Sequence, residues 1–138
     1  MIALNETWLV AYIELAHSYA AIKNDEEALK YYLKAIRIAN LTGQEIKDNL
    51  VFQRAGSIYI GLEKWEDARV MFLMCAEQFK TSFSFFNLGV ANYHLGFYDE
   101  AEKVLAIVNL MDSSNALTWA YLALSLLSKH SPPINSAY

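Results

Sequence analysis

The chain has 138 residues, of which 55% are hydrophobic and 19% charged, and its formal net charge at pH 7 is −4. A chain of this length forms one domain that buries most of the surface of its unfolded form. Its basic residues are scattered, which argues against a nucleic-acid-binding face. No apolar run approaches the roughly 20 residues that cross a bilayer, and no basic segment precedes an apolar core. We therefore expect a soluble, unsecreted, cytoplasmic protein without membrane insertion.

The spacing of apolar residues predicts helices that follow one another in pairs. Asn5 is a candidate N-cap for a first helix that ends near Lys23. Asn24 and Asp25 then offer a cap for a second helix, and the acidic side chains that follow suit the positive end of its dipole. The pair is predicted to bury two stripes, Trp8, Tyr12, Leu15, Ala16 and Tyr19 on the first helix and Ala28, Leu29, Tyr32, Ala35 and Ile36 on the second.

The same pattern returns twice and begins a fourth time. A small residue stands in each first helix and an alanine in the early turns of each complete second helix, where two helices approach closely. The lone cysteine, Cys75, falls inside the second pair and is expected to be a buried reduced thiol. The small residues are Ala16, Gly56, Gly89 and Ala123, the alanines are Ala28, Ala68 and Ala101, and Asp112, Ser113 and Ser114 are candidate caps for the last helix.

The alanines show that the repeat is not even. Ala28 and Ala68 are 40 residues apart, whereas Ala68 and Ala101 are 33 apart. The difference comes mainly from the extra residues Gly43 to Asp48 between the first two pairs. Because Gln44 to Asp48 contains no helix breaker, we expect this insertion to lengthen a helix and to change the pitch of the array locally.

This order of aromatic, small and alanine positions resembles the tetratricopeptide repeat, a helix pair of about 34 residues. The resemblance implies an all-α fold in which helix pairs stack into a right-handed superhelix. It divides the chain into units at residues 9–42, 49–81 and 82–115, an extra helix at 116–129 and a tail at 130–138. The proline that usually closes each unit is absent, so the turns are expected to depend on helix caps.

The end of the chain suggests a longer array. Pro132 and Pro133 stop the seventh helix, and Asn135 to Tyr138 resemble the start of an eighth. The seventh helix is apolar where a terminal helix would be polar. We therefore expect either a fragment of a longer array or a chain that docks onto something through this helix, whose apolar residues include Leu122, Leu124, Leu126 and Leu127.

No arrangement of residues predicts catalysis, a cofactor or a metal. The histidines His17, His94 and His130 fall on different units, and none has a second histidine or a cysteine at metal-ligand spacing. Gly89 and Gly96 lack the Lys-Ser or Lys-Thr that follows a phosphate-binding loop, so packing explains them better. We expect a protein that is not an enzyme and that needs no cofactor.

The resemblance also implies a binding surface. In tetratricopeptide arrays the first helix of each pair lines a concave groove at four positions with helical spacing, and a fifth position lies at the rim. The apolar and aromatic residues at these positions favour a partner protein's amphipathic helix or extended hydrophobic segment. The predicted groove residues are Ile13, His17, Gln53, Arg54, Ser57, Phe83, Phe86, Asn87, Val90 and Tyr93.

The members of the family that grip the C-terminal carboxylate of a chaperone use Lys and Asn or Arg in this groove. This chain has Ile13, His17, Arg54, Phe83 and Asn87 at the corresponding places, so the clamp is not reproduced. Two interpretations of the apolar groove stay open. It accepts a partner protein, or the groove and the last helix are covered by other parts of the same protein or by a second copy.

Residues 50–128 further resemble the C-terminal repeats of the cilia- and flagella-associated tetratricopeptide proteins of the axoneme. The segments FNLGVANYHLG, YDEAEKVL and ALTWAYLAL carry this resemblance. It implies a scaffold role in a ciliary or flagellar assembly of the cytoskeleton.

Overall fold

The computed structural model describes residues 2–130, and their side chains from Trp8 onward. Within that range all regular structure is α-helical, as predicted, and no strand occurs. None of the described helices combines the length and the hydropathy that crossing a membrane requires. The helices are α1 (Ile2–Ala21), α2 (Asp25–Thr42), α3 (Asn49–Gly61), α4 (Trp65–Phe79), α5 (Ser82–His94), α6 (Tyr98–Met111) and α7 (Ala116–His130).

Each helix packs mainly against its neighbours in sequence. Helices α1 and α2 form the first pair, α3 and α4 the second, and α5 and α6 the third, while α4 packs on α5 and α6 on α7. Packing between α2 and α3 is the sparsest of these successive contacts. Packing restricted to nearest neighbours is the mark of a solenoid.

The small residues allow the paired helices to approach, as predicted. A Cβ atom added to Gly56 would lie 2.6 Å from the Phe72 ring, and one added to Gly89 would lie 2.7 Å from Leu105. Ala68 and Ala101 are fully buried on the opposing helices. Since real Cβ atoms do not approach carbon so closely, larger residues at these positions would push the helices apart.

Helix caps replace the missing prolines. Between the second and third units, Thr81 Oγ1 accepts a hydrogen bond from the Ser84 amide at 3.2 Å; inside the first unit, Asn24 Oδ1 caps α2 by accepting from the Glu27 amide at 3.3 Å. Helix α7 is capped by Asn115 rather than by the three preceding residues that the sequence suggested. Cys75 is free and fully buried, and burial raises the pKa of its thiol.

The insertion does not lengthen a helix, so that expectation was wrong. Helix α2 ends at Thr42 because Gly43 adopts a left-handed conformation with a φ of 74°. Residues 44–48 then run without helical structure to Asp48, which caps α3 by accepting from the Leu50 amide at 3.0 Å. Ile46 is buried in this linker.

Two further expectations fail at the ends of the array. Helix α1 begins at Ile2, so Asn5 lies inside it and does not cap it. Ala123 is exposed, whereas Gly56 and Gly89 at the equivalent positions are buried. The reason is that no described helix covers this face of α7, which buries Thr118 and Ser125 instead. The expected eighth helix at residues 135–138 lies outside the described residues.

Candidate functional site: the groove

The groove residues of α1 and α3 meet in a polar cluster around His17. The Nε2 atom of His17 lies 2.8 Å from Asp48 Oδ2, and its Nδ1 atom lies 2.6 Å from Tyr32 Oη and 2.8 Å from Arg54 Nη1. These side chains come from α1, α2, the linker and α3. The structure thus brings together two predicted groove residues, His17 and Arg54, and adds two that were not predicted.

Both ring nitrogens of His17 are occupied. When Nε2 carries the proton, it donates to the Asp48 carboxylate, and Nδ1 accepts from the Tyr32 hydroxyl or the Arg54 guanidinium. Burial raises the pKa of Tyr32, which keeps its hydroxyl protonated as a donor. The cluster thus links the first two helix pairs through side chains of α1, α2, the linker and α3.

Aromatic side chains dominate the other half of the groove. Phe86 and Tyr93 of α5 both contact Tyr121 of α7 edge to face, with ring centroids 6.1 and 5.6 Å apart respectively. All three rings are half-buried, so each still presents part of its surface to solvent. Tyr121 was not among the predicted groove residues, although it continues their face onto α7.

The remaining predicted residues differ in accessibility. Phe83 is 46% exposed and contacts Phe72 with its ring edge. Asn87 uses its side-chain amide to donate to the Phe83 carbonyl at 2.9 Å, within its own helix. Val90 does not offer the open surface expected of it, since it is only 6% exposed between Phe86 and Tyr93. Of the other predicted residues, Ser57 is exposed, and Ile13 and Gln53 are half-buried.

Helix α7 adds exposed leucines that were not among the predicted groove residues. Leu117 and Leu124 lie about one helical turn on either side of Tyr121 and are 60% and 42% exposed. Leu127 follows and is exposed too. Each stands 34 residues after a predicted groove residue, namely Phe83, Val90 or Tyr93. Extending the spacing of the groove positions to α7 would have predicted all three leucines as groove residues.

Residues 2–130 contain no group of three His, Cys, Asp or Glu side chains that could hold a metal ion. The candidate site consists of two surfaces. One is the polar cluster at the first two pairs, and the other is the apolar surface at α5 and α7, which we call the aromatic groove and define as Phe83, Phe86, Tyr93, Leu117, Tyr121 and Leu124.

The stacked helix pairs, the glycine and alanine contacts between them and the groove define a protein with the tetratricopeptide-repeat fold. In agreement, the family model of the tetratricopeptide repeat matches residues 9–40. The chain is also similar to the human cilia- and flagella-associated protein 70, with 31% identity over 111 residues. The match covers 80% of this chain but 10% of that protein. A second relative, the protein of the same name from Macaca fascicularis, is 33% identical over 79 residues, which are 57% of this chain and 8% of that protein.

Solved structures support the same fold. The first tetratricopeptide-repeat domain of Spaghetti (RPAP3), bound to the HSP90 peptide SRMEEVD, has a TM-score of 0.71 and 17% sequence identity, and the match covers 91% of this chain and 95% of that one. The structure of MamA AMB-1 has a TM-score of 0.76 and 19% identity, over 88% of this chain and 63% of that one. At these identities the likeness shows the superhelical fold.

Proposed function

We propose that this chain is a non-catalytic scaffold module whose aromatic groove binds an amphipathic helix or an extended hydrophobic segment of a partner protein. The observation that carries the proposal is the apolar surface that runs from Phe83 across Phe86 and Tyr121 to Leu117 and Leu124. Contiguous exposed apolar surface in a soluble domain marks an interaction site. Half-buried aromatic rings are the side chains that most often dominate binding energy at such sites.

The polar groups of the groove favour a hydrophobic ligand over an acidic one. Arg54 is the cation among the predicted groove residues, and its guanidinium already contacts His17 at 2.8 Å. The amide of Asn87 is bonded within its own helix. An acidic tail of the kind that RPAP3 holds would therefore have to compete for Arg54, whereas the aromatic groove offers rings and leucines without a competing partner.

A peptide display experiment tests this proposal. Helical and extended peptides are selected on the wild-type chain, and their affinities are then measured for Phe86→Asp and Leu124→Asp. Because each change places a charge against the apolar ligand, we expect binding to weaken at least about tenfold. Leu110→Asp is the matched control, since Leu110 is 87% exposed on α6, and it should leave affinity unchanged.

Circular dichroism of the same variants separates binding from folding. Leu124 is partly exposed, so Leu124→Asp should keep the helical signal and the melting temperature close to those of the wild type. Selection of acidic peptides whose binding is lost in Arg54→Met and kept in Leu124→Asp would overturn the proposal.

The resemblance to cilia- and flagella-associated protein 70 supports a scaffold role in a ciliary or flagellar axonemal assembly. Localisation of the tagged chain in ciliated cells tests this part of the proposal. We expect the tagged chain along the axoneme, and a signal confined to the cell body would contradict it.

A second candidate function is self-association through α7. Ala123 stands where Gly56 and Gly89 are covered by a second helix, yet it is exposed, together with Trp119 and Leu126 on the same face. A second copy of the chain would bury this face. Light scattering over a concentration series should then show a dimer that Leu126→Glu dissociates, whereas a mass that stays monomeric at all concentrations would exclude it.

A further inference from the structure

A cleft of about 570 Å³ lies open between α2 and α3, the successive helices that pack most sparsely. It adjoins a smaller recess that Arg54 and Ser57 line, so it opens beside the polar half of the groove. Asp25, Glu26, Lys30 and Lys64 contribute charged side chains to its lining. Its apolar lining consists of Leu29, Leu33, Ile58 and Leu62.

The equivalent place between α4 and α5 is filled. The indole of Trp65 stacks on the His94 imidazole, with ring centroids 3.9 Å apart and planes at 10°. Beside this stack, Arg69 Nε donates to Asn92 Oδ1 at 2.6 Å, and the guanidinium lies 5.3 Å from the centroid of the Phe97 ring. Three rings and a cation thus close this junction.

The repeat shows which side chains are missing from the cleft. Since Ala28 and Ala68 are 40 residues apart, Asp25 stands where Trp65 does in the next pair. Since Gly56 and Gly89 are 33 apart, Gly61 stands where His94 does. A Cβ atom added to Gly61 would meet nothing within 4 Å. The cleft therefore lacks the stacked ring pair that occupies the same place one unit later.

We infer that the cleft between α2 and α3 binds an aromatic side chain of the partner protein, with tryptophan as the best fit. Its volume lies within the range of small-ligand sites, and its lining combines four apolar side chains with charged groups. The chain itself places an indole at the equivalent position between α4 and α5. Assigning the ring to a partner protein rests on the proposed function, but the cleft can be tested without any partner.

Indole and N-acetyltryptophanamide are the probes, titrated into the isotope-labelled chain and followed by amide chemical shifts. We expect saturable shifts centred on Leu29, Leu33, Ile58 and Leu62, and at least tenfold weaker binding of N-acetylleucinamide. The double variant Asp25→Trp/Gly61→His rebuilds the filled junction, so it should weaken indole binding at least tenfold. If the double variant does not fold, Gly61→Trp replaces it in the experiment, because it places one ring in the same space.

The converse variant gives the matched control. Trp65→Ala empties the equivalent place between α4 and α5, so indole should then produce a second set of shifts near Arg69 and His94. Wild-type shifts that are absent or scattered over the surface, or indole binding that is unchanged in the filled variants, would overturn the inference. Loss of peptide binding in Leu124→Asp with indole binding intact would show that the groove and the cleft are separate sites.

Discussion

Two junctions between helix pairs are built from the same positions of the repeat and differ in what fills them. Between α4 and α5, Trp65 and His94 stack and Arg69 bonds to Asn92. Between α2 and α3, Asp25 and Gly61 replace the two rings and leave a cleft. The comparison shows that the repeat tolerates the loss of direct helix packing where other contacts join the pairs.

Those other contacts come from the linker that the insertion creates. Ile46 is buried, and Gln78 of α4 donates to its carbonyl oxygen at 2.7 Å. Asp48 caps α3 with one carboxylate oxygen and accepts from His17 with the other. The open junction is thus held by polar bonds at one end, while the filled junction is held by ring packing.

The largest expected difference is between truncations at equivalent positions. Trp65→Ala removes a half-buried indole and its stacking contact with His94, and should lower the free energy of unfolding by about 2–3 kcal/mol. Asp25→Ala removes an exposed acidic side chain in the first turn of α2, and should cost at most about 1 kcal/mol. Denaturant unfolding of both variants measures the difference. Equal losses would show that the ring stack adds no stability to the filled junction.

The next effect concerns the polar end of the open junction. Asp48→Ala removes both the cap of α3 and the partner of His17, and should cost about 2 kcal/mol. Thr81→Ala, at the cap of α5, removes a cap from the filled junction and should cost about 1 kcal/mol. Thermal melts of the two variants provide the test. If Asp48→Ala were the milder change, the polar cluster would not hold the junction.

Two glycine substitutions should change the stability in opposite directions. In Gly61→Ala the added methyl group meets open space, and alanine has a higher helix propensity than glycine. We therefore expect the free energy of unfolding to rise by roughly 0.5–1 kcal/mol. Gly89→Ala places a Cβ atom 2.7 Å from Leu105, so overpacking should outweigh the propensity gain, with a net loss of about 1 kcal/mol. A lower melting temperature in Gly61→Ala would show that the cleft is closed in solution, and a higher one in Gly89→Ala would show that Leu105 moves aside.

The smallest expected effect is a pH dependence at the filled junction. Burial lowers the pKa of His94 below its ordinary value of 6.5, while Glu63 opposes this shift. Below pH 6.5 the unfolded chain therefore binds more protons than the folded one, and this contribution to stability is lost as the pH falls. His94→Gln should reduce the slope of stability against pH between about 6.5 and 5. An unchanged slope would show that the surroundings of His94 do not lower its pKa.

Local spacing in the sequence was sufficient for the fold and for placing two aromatic rings on one face of α5. Apolar residues at helical spacing, with glycine or alanine where two helices meet, specify the helix pairs, because only small residues allow that approach. The positions of Phe86 and Tyr93 on one face of α5 followed from the same spacing. The same spacing, extended to α7, would also have predicted Leu117 and Leu124.

Tertiary structure alone decided the rest. His17 and Arg54 are 37 residues apart, and the left-handed turn at Gly43 that starts the linker between them was not recognised. Whether Val90 is buried and Ala123 exposed depends on which neighbouring helix covers each one. The cleft arises because Asp25 and Gly61 leave space where Trp65 and His94 fill it, and only the packed structure shows the resulting volume.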